Sequence, residues 1–190
     1  MMKLRNKAGF TLMEMMVSVF ILVLIVSAMG TGMDAGLSVY ADATFESHSA
    51  TLSGIINTAM GDMLRYAEDI KAVEEGAAEE GIDFVFTNRE YGVANAYFYI
   101  SGDEENGAGT LYLKNTRNGN TDTVDLVSSG AYPNLGIQNL KVHYVAPGAD
   151  DGDGGTLRGG YFELEYDIVS QKDSEKIRHV ESIVRHLNAK

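Results

Sequence analysis

Apolar and polar positions change rhythm three times along the chain. From Met15 to Met33 no residue carries a formal charge, and Val17 to Val26 (VSVFILVLIV) is almost wholly apolar. At about 1.5 Å per residue a helix over this stretch reaches roughly 28 Å, close to the hydrocarbon thickness of a bilayer, so one membrane-crossing helix is predicted. Gly30, Gly32 and Gly36 stand at its end. Each costs about 1 kcal/mol relative to Ala inside a helix, so either a bend or locally melted stretch or a simple helix irregularity is expected there. Helical spacing then resumes. Leu52, Ile56, Ala59, Met63, Ala67 and Ile70 recur at three and four residues with Thr58, Asp62, Arg65 and Asp69 on the other side, predicting an amphipathic helix to about Val73.

The acidic run Glu74 to Gly81 breaks that pattern and reads as a solvated connection. From Ile82 onward the period is two. Ile82, Phe84 and Phe86 alternate, then Ala94, Ala96, Phe98 and Ile100, then Leu111 and Leu113. Gly102 to Gly107 and the stretch Asn115 to Asn120 read as turns, and Val124 to Val127 as a short strand. Leu140, Val142 and Tyr144 point one way with Lys141 and His143 opposite. Phe162, Leu164, Tyr166 and Ile168 do the same against Glu163, Glu165 and Asp167, and a last strand spans Ile177 to Leu187. The fold class expected is α+β: a long N-terminal helix, membrane-spanning in its first half, packed in its second half on an antiparallel sheet.

Composition narrows the function classes. The 190 residues carry 15 Lys and Arg against 27 Asp and Glu, a formal charge of −12. Nucleic acid is not expected as a partner, because phosphate binding needs clustered cations. With no Cys, disulfides, thiolate metal sites and cysteine nucleophiles are excluded together. Lys3, Arg5 and Lys7 precede the apolar run without a balancing acid, so the N-terminus is expected in the cytoplasm and everything after Met33 outside. This pattern also fits a secretory signal peptide with Val26-Ser27-Ala28 as its cleavage site, leaving a secreted or anchored binding domain that starts at Met29.

Glu14 does not suit that alternative. It places a carboxylate at the mouth of the membrane segment, and no cationic residue follows it until Arg65. Ionisable groups at membrane depth are costly and mark function. The ordered string Lys7-Ala8-Gly9-Phe10-Thr11-Leu12-Met13-Glu14 before a long apolar run resembles the type III signal of type IV pilins and the pseudopilins of type II secretion. The resemblance implies a pilin-like fold with a cleaved leader (1–9), a transmembrane and assembly helix (10–36), an amphipathic half (37–73) and a sheet head (74–190). It implies cleavage between Gly9 and Phe10 by prepilin peptidase and methylation of Phe10. It further implies a subunit contact between Glu14 of one copy and the Phe10 amine of the next. The partners implied are that peptidase, other pilin or pseudopilin subunits and an inner-membrane assembly platform, ending in a periplasmic or extracellular filament. The order Asp125 to Gly130, then Ile137 to Tyr144, then a glycine-rich loop, is similar to minor subunits of the J-type pseudopilin branch.

Three other features invite chemistry. Asp150, Asp151 and Asp153 on a glycine-rich loop offer oxygen ligands to calcium, but the EF-hand pattern started at Asp151 fails at Gly155, Thr156 and Phe162, so a polar turn with no cofactor is expected. Glu163, Glu165 and Asp167 form a carboxylate ladder that an exported hydrolase would need enclosed; on an alternating strand it should face solvent, with Lys141, His143 or Arg178 as cross-strand partners. His48, His143, His179 and His186 lack metal spacing, and no nucleotide loop occurs, so no enzyme is expected.

Overall fold

The computed structural model describes residues 11–73, 83–102, 109–117, 119–127, 132, 134–148, 159–173 and 175–187. One helix, α1 (Leu12–Arg65), precedes eight strands: β1 (Glu68–Ala72), β2 (Phe84–Asn88), β3 (Val93–Gly102), β4 (Gly109–Arg117), β5 (Asn120–Asp125), β6 (Leu135–Val145), β7 (Tyr161–Ser170) and β8 (Ile177–Arg185). By its contacts the chain divides between Thr44 and Phe45 into two units.

In the first unit α1 is helical without interruption through Gly30, Gly32 and Gly36, so no melted stretch forms there. Its apolar run has a mean hydropathy of 2.5 and none of it is buried, which by length and composition suffices to cross a membrane. Two hydroxyls inside the run bond back to the helix itself. Ser18 Oγ donates to Glu14 O at 2.8 Å and Thr31 Oγ1 to Ala28 O at 3.1 Å.

In the second unit the rest of α1 lies on an antiparallel sheet of order β1-β2-β3-β4-β6-β7-β8, with β5 paired to β4. The buried line on α1 is Ser49, Leu52, Ser53, Ile56, Met60, Gly61 and Leu64. It runs through Met60 and Leu64, both fully buried, rather than through Ala59 and Met63, which flank it. At Gly61 the helix lies close to β8: a Cβ there would sit 3.7 Å from Val184 Cγ2, an ordinary contact. Opposite lie Phe84, Phe86, Phe98, Leu111, Leu113, Val142, Phe162, Leu164, Tyr166 and Ile168, all nearly or fully buried. Each such side chain contributes about 1.5–3 kcal/mol on burial.

The helix ends at Arg65, not near Val73, and residues 68–72 form β1, so the sheet begins before residue 74. No Gly or Pro stops α1. Donors from the end of β2 and from just after β8 take two of its last carbonyls and one just beyond it instead. Asn88 Nδ2 donates to Met63 O at 2.8 Å, the Leu187 N–H to Arg65 O at 2.9 Å, and His186 Nε2 to Ala67 O at 2.8 Å. The other imidazole nitrogen faces the Tyr144 hydroxyl at 3.1 Å. These bonds replace the C-terminal glycine cap that ends many helices.

Strand limits also shift. Asn115 to Arg117, expected in a turn, continue β4 and pair with Asn120 to Asp122, while β5 stops at Asp125. Three register shifts interrupt the ladders, and each coincides with an Asp or Asn at positive φ: Asp69 (48°) between β1 and β2, Asn95 (46°) between β2 and β3, Asn139 (55°) between β6 and β7. A bulge needs one residue off the extended conformation, and Asn and Asp enter the left-handed region at lower cost than other side chains. At Asn139 the extra residue resets parity, so that Ile137 and Leu140, three apart, both face the core.

Candidate processing and assembly site

The first turn of α1 is closed by its own side chains. Thr11 is the cap residue: the Glu14 N–H donates to Thr11 Oγ1 at 3.2 Å. In return the Thr11 N–H and hydroxyl reach Glu14 Oε2 at 3.2 and 3.3 Å. This reciprocal pair is a capping box, and the carboxylate also sits favourably at the positive end of the helix dipole. Glu14 is therefore held toward the N-terminus before any partner arrives. Both bonds land on one oxygen, and a carboxylate has about four acceptor positions, so capacity remains for an outside cation. Thr11 was legible as a cap from its spacing to Glu14, but the charge of Glu14 alone does not point to it.

Gly9 and Phe10, the expected processing residues, lie outside the described residues. Leu12, Met15, Met16, Val19, Phe20 and Val23 line one exposed apolar face of the helix directly after Glu14. Such a surface is unstable in water and must be covered by lipid or by another helix.

The three carboxylates lie on the outer face of β7, and two of them, Glu165 and Asp167, are paired across strands. Lys141 Nζ lies 3.0 Å from Glu165 Oε1. His179 Nδ1 lies 2.6 Å from Asp167 Oδ1, and its Nε2 lies 3.2 Å from Glu181 Oε1. The bulge residue Asn139 donates its amide to Asp167 Oδ2 at 2.7 Å. His143 stands opposite Glu163 in register, yet its Nδ1 meets Asp83 Oδ2 at 2.7 Å. Arg178 does not join the ladder and pairs with Glu46 on α1. His179, His186, Asn139 and Asn88 all carry contacts that spacing could not show, because their partners come from other strands or the helix end.

Burial alone would raise the Asp167 carboxyl. The hydrogen bonds from Asn139 and His179, with the His179 and Lys141 charges, outweigh that and hold it below the ordinary carboxylate range. A general acid needs the opposite shift. His179 is raised, chiefly by its bond to Asp167 and then by Glu181. A raised imidazole contributes stability below its ordinary value near 6.5 and loses it as pH climbs through the raised one. A lowered carboxyl contributes above roughly 4 and loses that as pH falls. The pair therefore helps most between about pH 4 and 6.5. His179→Gln should flatten the decline in melting midpoint of the native chain between pH 6 and 8; superimposable pH profiles would remove this role.

Asp150, Asp151 and Asp153 lie outside the described residues. Among the described residues no group of three or more His, Asp or Glu is placed to hold a metal ion. No curated protein and no solved structure matches the chain. Residues 4–30 match the family model described as the prokaryotic N-terminal methylation motif, and with Gly9, Phe10 and Glu14 inside that match the chain carries the type IV prepilin signal.

Proposed function

We propose that this chain is a minor pilin or pseudopilin, a structural subunit that is cut after Gly9, methylated on Phe10 and built into a type IV pilus or a type II secretion-like filament. The match of residues 4–30 to the methylation motif carries the proposal. A signal of this kind points to a structural subunit rather than an enzyme. It implies processing by prepilin peptidase, membrane anchoring through the apolar helix, and assembly with other pilins.

The structure supports the assembly step physically. Cleavage frees a positive amine at Phe10, four residues before Glu14. Within one chain the Glu14 carboxylate is occupied by the Thr11 cap. The amine of a neighbouring copy can share that carboxylate while the apolar face beyond it packs against the neighbour's helix. Both lone charges are costly in lipid, so docking is favoured over free diffusion. The N-terminus stays on the cytoplasmic side and the sheet unit outside, the orientation that Lys3, Arg5 and Lys7 favour at insertion, before the leader is cut. The minor-subunit assignment, in the J-type branch, rests on the order of segments after Asp125. No cofactor enters this function.

The intact mass and N-terminal peptide of the protein from native membranes test it. The expected species begins at Phe10 with one added methyl group. A chain beginning at Met29 would establish the signal-peptide alternative, and an uncut chain would leave only a membrane anchor.

A further inference from the structure

We propose that β8 is a docking edge for a second copy of this chain, joined antiparallel so that the two sheets run on into one another. The sheet order leaves β1 and β8 at its two ends. β1 has five residues and a register shift, which makes it a poor template for another strand. β8 has nine residues, no proline and an unbroken register against β7. The Ser170 N–H donates to Lys176 O at 3.1 Å and the His186 N–H to Gly160 O at 3.0 Å. Even-numbered residues of β8 therefore turn their backbone groups toward β7, and odd-numbered ones turn theirs to the open edge. Leu187, next in the odd series, finds Arg65 O. From Ile177 to Arg185 no further strand lies on that edge among the described residues.

The side chains along this edge complement themselves. Antiparallel pairing joins odd positions to odd positions. With Val180 opposite Val180 of the second copy, Ile177 meets Ile183, His179 meets Glu181, and Glu175, just before the strand, meets Arg185. Symmetry makes each of these contacts twice. Apolar and opposite-charge pairs across strands are favourable, and Ile177 and Ile183 stand 51% and 70% exposed without such a partner. Sliding one strand by two residues sets Glu181 against Glu181 or His179 against His179, and both isoleucines against charged or imidazole groups. One register is thus selected.

The helix side leaves room for the second copy. Such a pair has its two-fold axis normal to the sheet, so both packed parts of α1 lie on one side and run in opposite directions. Asn57 Oδ1 accepts from Ser182 Oγ at 3.1 Å and Gly61 lies beside Val184, so the strip Ala50, Gly54, Asn57 and Gly61 follows β8. Tyr166, opposite Val180, donates to Ser53 O at 3.2 Å, which places the axis near Ser53 and Gly54. A Cβ at Gly54 would meet nothing within 4 Å. Small residues therefore stand where the helices come nearest, which suits a separation of about 8–10 Å. Opposed helices cannot be neighbours in one membrane. On the membrane reading above, the contact joins subunits whose anchors point apart, as between two filaments side by side in opposite sense. The pairing itself does not depend on that reading.

The test uses the full chain in detergent micelles. The sequence has no Cys, so one introduced thiol reports one position. Val180→Cys should link to itself under mild oxidation, because facing residues of a non-hydrogen-bonded pair lie about 4.5 Å apart at Cα, within disulfide reach. Ser182→Cys should not, since it faces Arg178 of the second copy. Ile183→Glu should stay monomeric in analytical ultracentrifugation at concentrations where the native chain is dimeric, with an unchanged melting midpoint. A monomeric native chain, linkage of Ser182→Cys as readily as Val180→Cys, or a dimeric Ile183→Glu variant would overturn the proposal. If Val180→Cys fails to fold, the ultracentrifugation of native and Ile183→Glu chains decides. Liposomes carrying the native chain should cluster in light scattering while those carrying Ile183→Glu stay dispersed. Dimers in micelles without clustering of liposomes would overturn the opposed arrangement.

Discussion

Glu14→Ala is expected to be cut and inserted as the native chain is, yet to enter filaments at a small fraction of the native level. Two charges about 4 Å apart at an effective dielectric near 20 attract by roughly 4 kcal/mol. At 1.4 kcal/mol per factor of ten, losing that attraction weakens docking by about a thousandfold. The same substitution also removes the capping box, which is worth about 0.5–2 kcal/mol. The lost charge attraction outweighs the lost cap, and two further variants separate the two effects. Glu14→Gln keeps a side chain that can complete the cap with Thr11 but carries no charge. Thr11→Val keeps the charge and loses the cap. Co-expression with native subunits, followed by quantifying each variant in sheared filaments against membranes, should show Glu14→Gln as deficient as Glu14→Ala and Thr11→Val only mildly affected. Native incorporation of Glu14→Gln would leave Glu14 as a helix cap and nothing more.

The parts of this fold that were legible in the sequence are those set by local rhythm. The apolar stretch of α1 needs only length and composition. The alternation of β6 and β7 is visible because each has one buried face, with Leu140, Val142, Phe162, Leu164 and Tyr166 inside and Lys141, His143, Glu163 and Glu165 outside. The cross-strand pairing of Lys141 with Glu165 follows from that facing. The signal around Gly9, Phe10 and Glu14 is readable because its chemistry is carried by residues close in the chain.

What escaped was set by contacts between distant segments. β1 (EDIKA) reads as the polar tail of a helix, since Ala67 and Ile70 keep helical spacing from Met63. It becomes a strand because Asn88 and Leu187 take the Met63 and Arg65 carbonyls that another helical turn would have used. The three bulges escaped for a related reason. An Asn or Asp at positive φ is compatible with any turn or loop, and only the register of the partner strand shows that Asp69, Asn95 and Asn139 each absorb one extra residue. Arg178 shows the same limit on the site side: its neighbours on β8 predict a ladder partner, but the helix supplies Glu46 first.

Asn88→Ala should be among the most damaging single changes to the sheet unit, although Asn88 ends a short strand and carries no charge. Asn88 is fully buried. Its amide donates to Met63 O at the end of α1, while its Oδ1 accepts the N–H groups of Glu90 at 3.0 Å and Tyr91 at 3.2 Å. One side chain thus closes the helix and shapes the turn into β3. Truncation removes a partner from three backbone groups. Glu90 and Tyr91 stand in an exposed turn where water can replace it, whereas Met63 O faces the buried end of the helix. There an unsatisfied group costs about 1–3 kcal/mol on top of the cavity left by the side chain. With partial relaxation the loss should be about 3 kcal/mol, lowering the melting midpoint by roughly 6–12 °C for a unit of this size. Asn88→Asp sharpens the test. A carboxylate still accepts from Glu90 and Tyr91, and Asp suits such turns well. Toward Met63, however, it presents an oxygen to an oxygen and buries a charge with no cation among these three partners. If Asn88 mattered only to the turn, Asp would be tolerated. Because the contact with the helix end dominates, Asn88→Asp should be at least as destabilising as Asn88→Ala in thermal melts of the full chain followed by near-ultraviolet circular dichroism. A native-like midpoint for the Asp variant would show that α1 is terminated without Asn88.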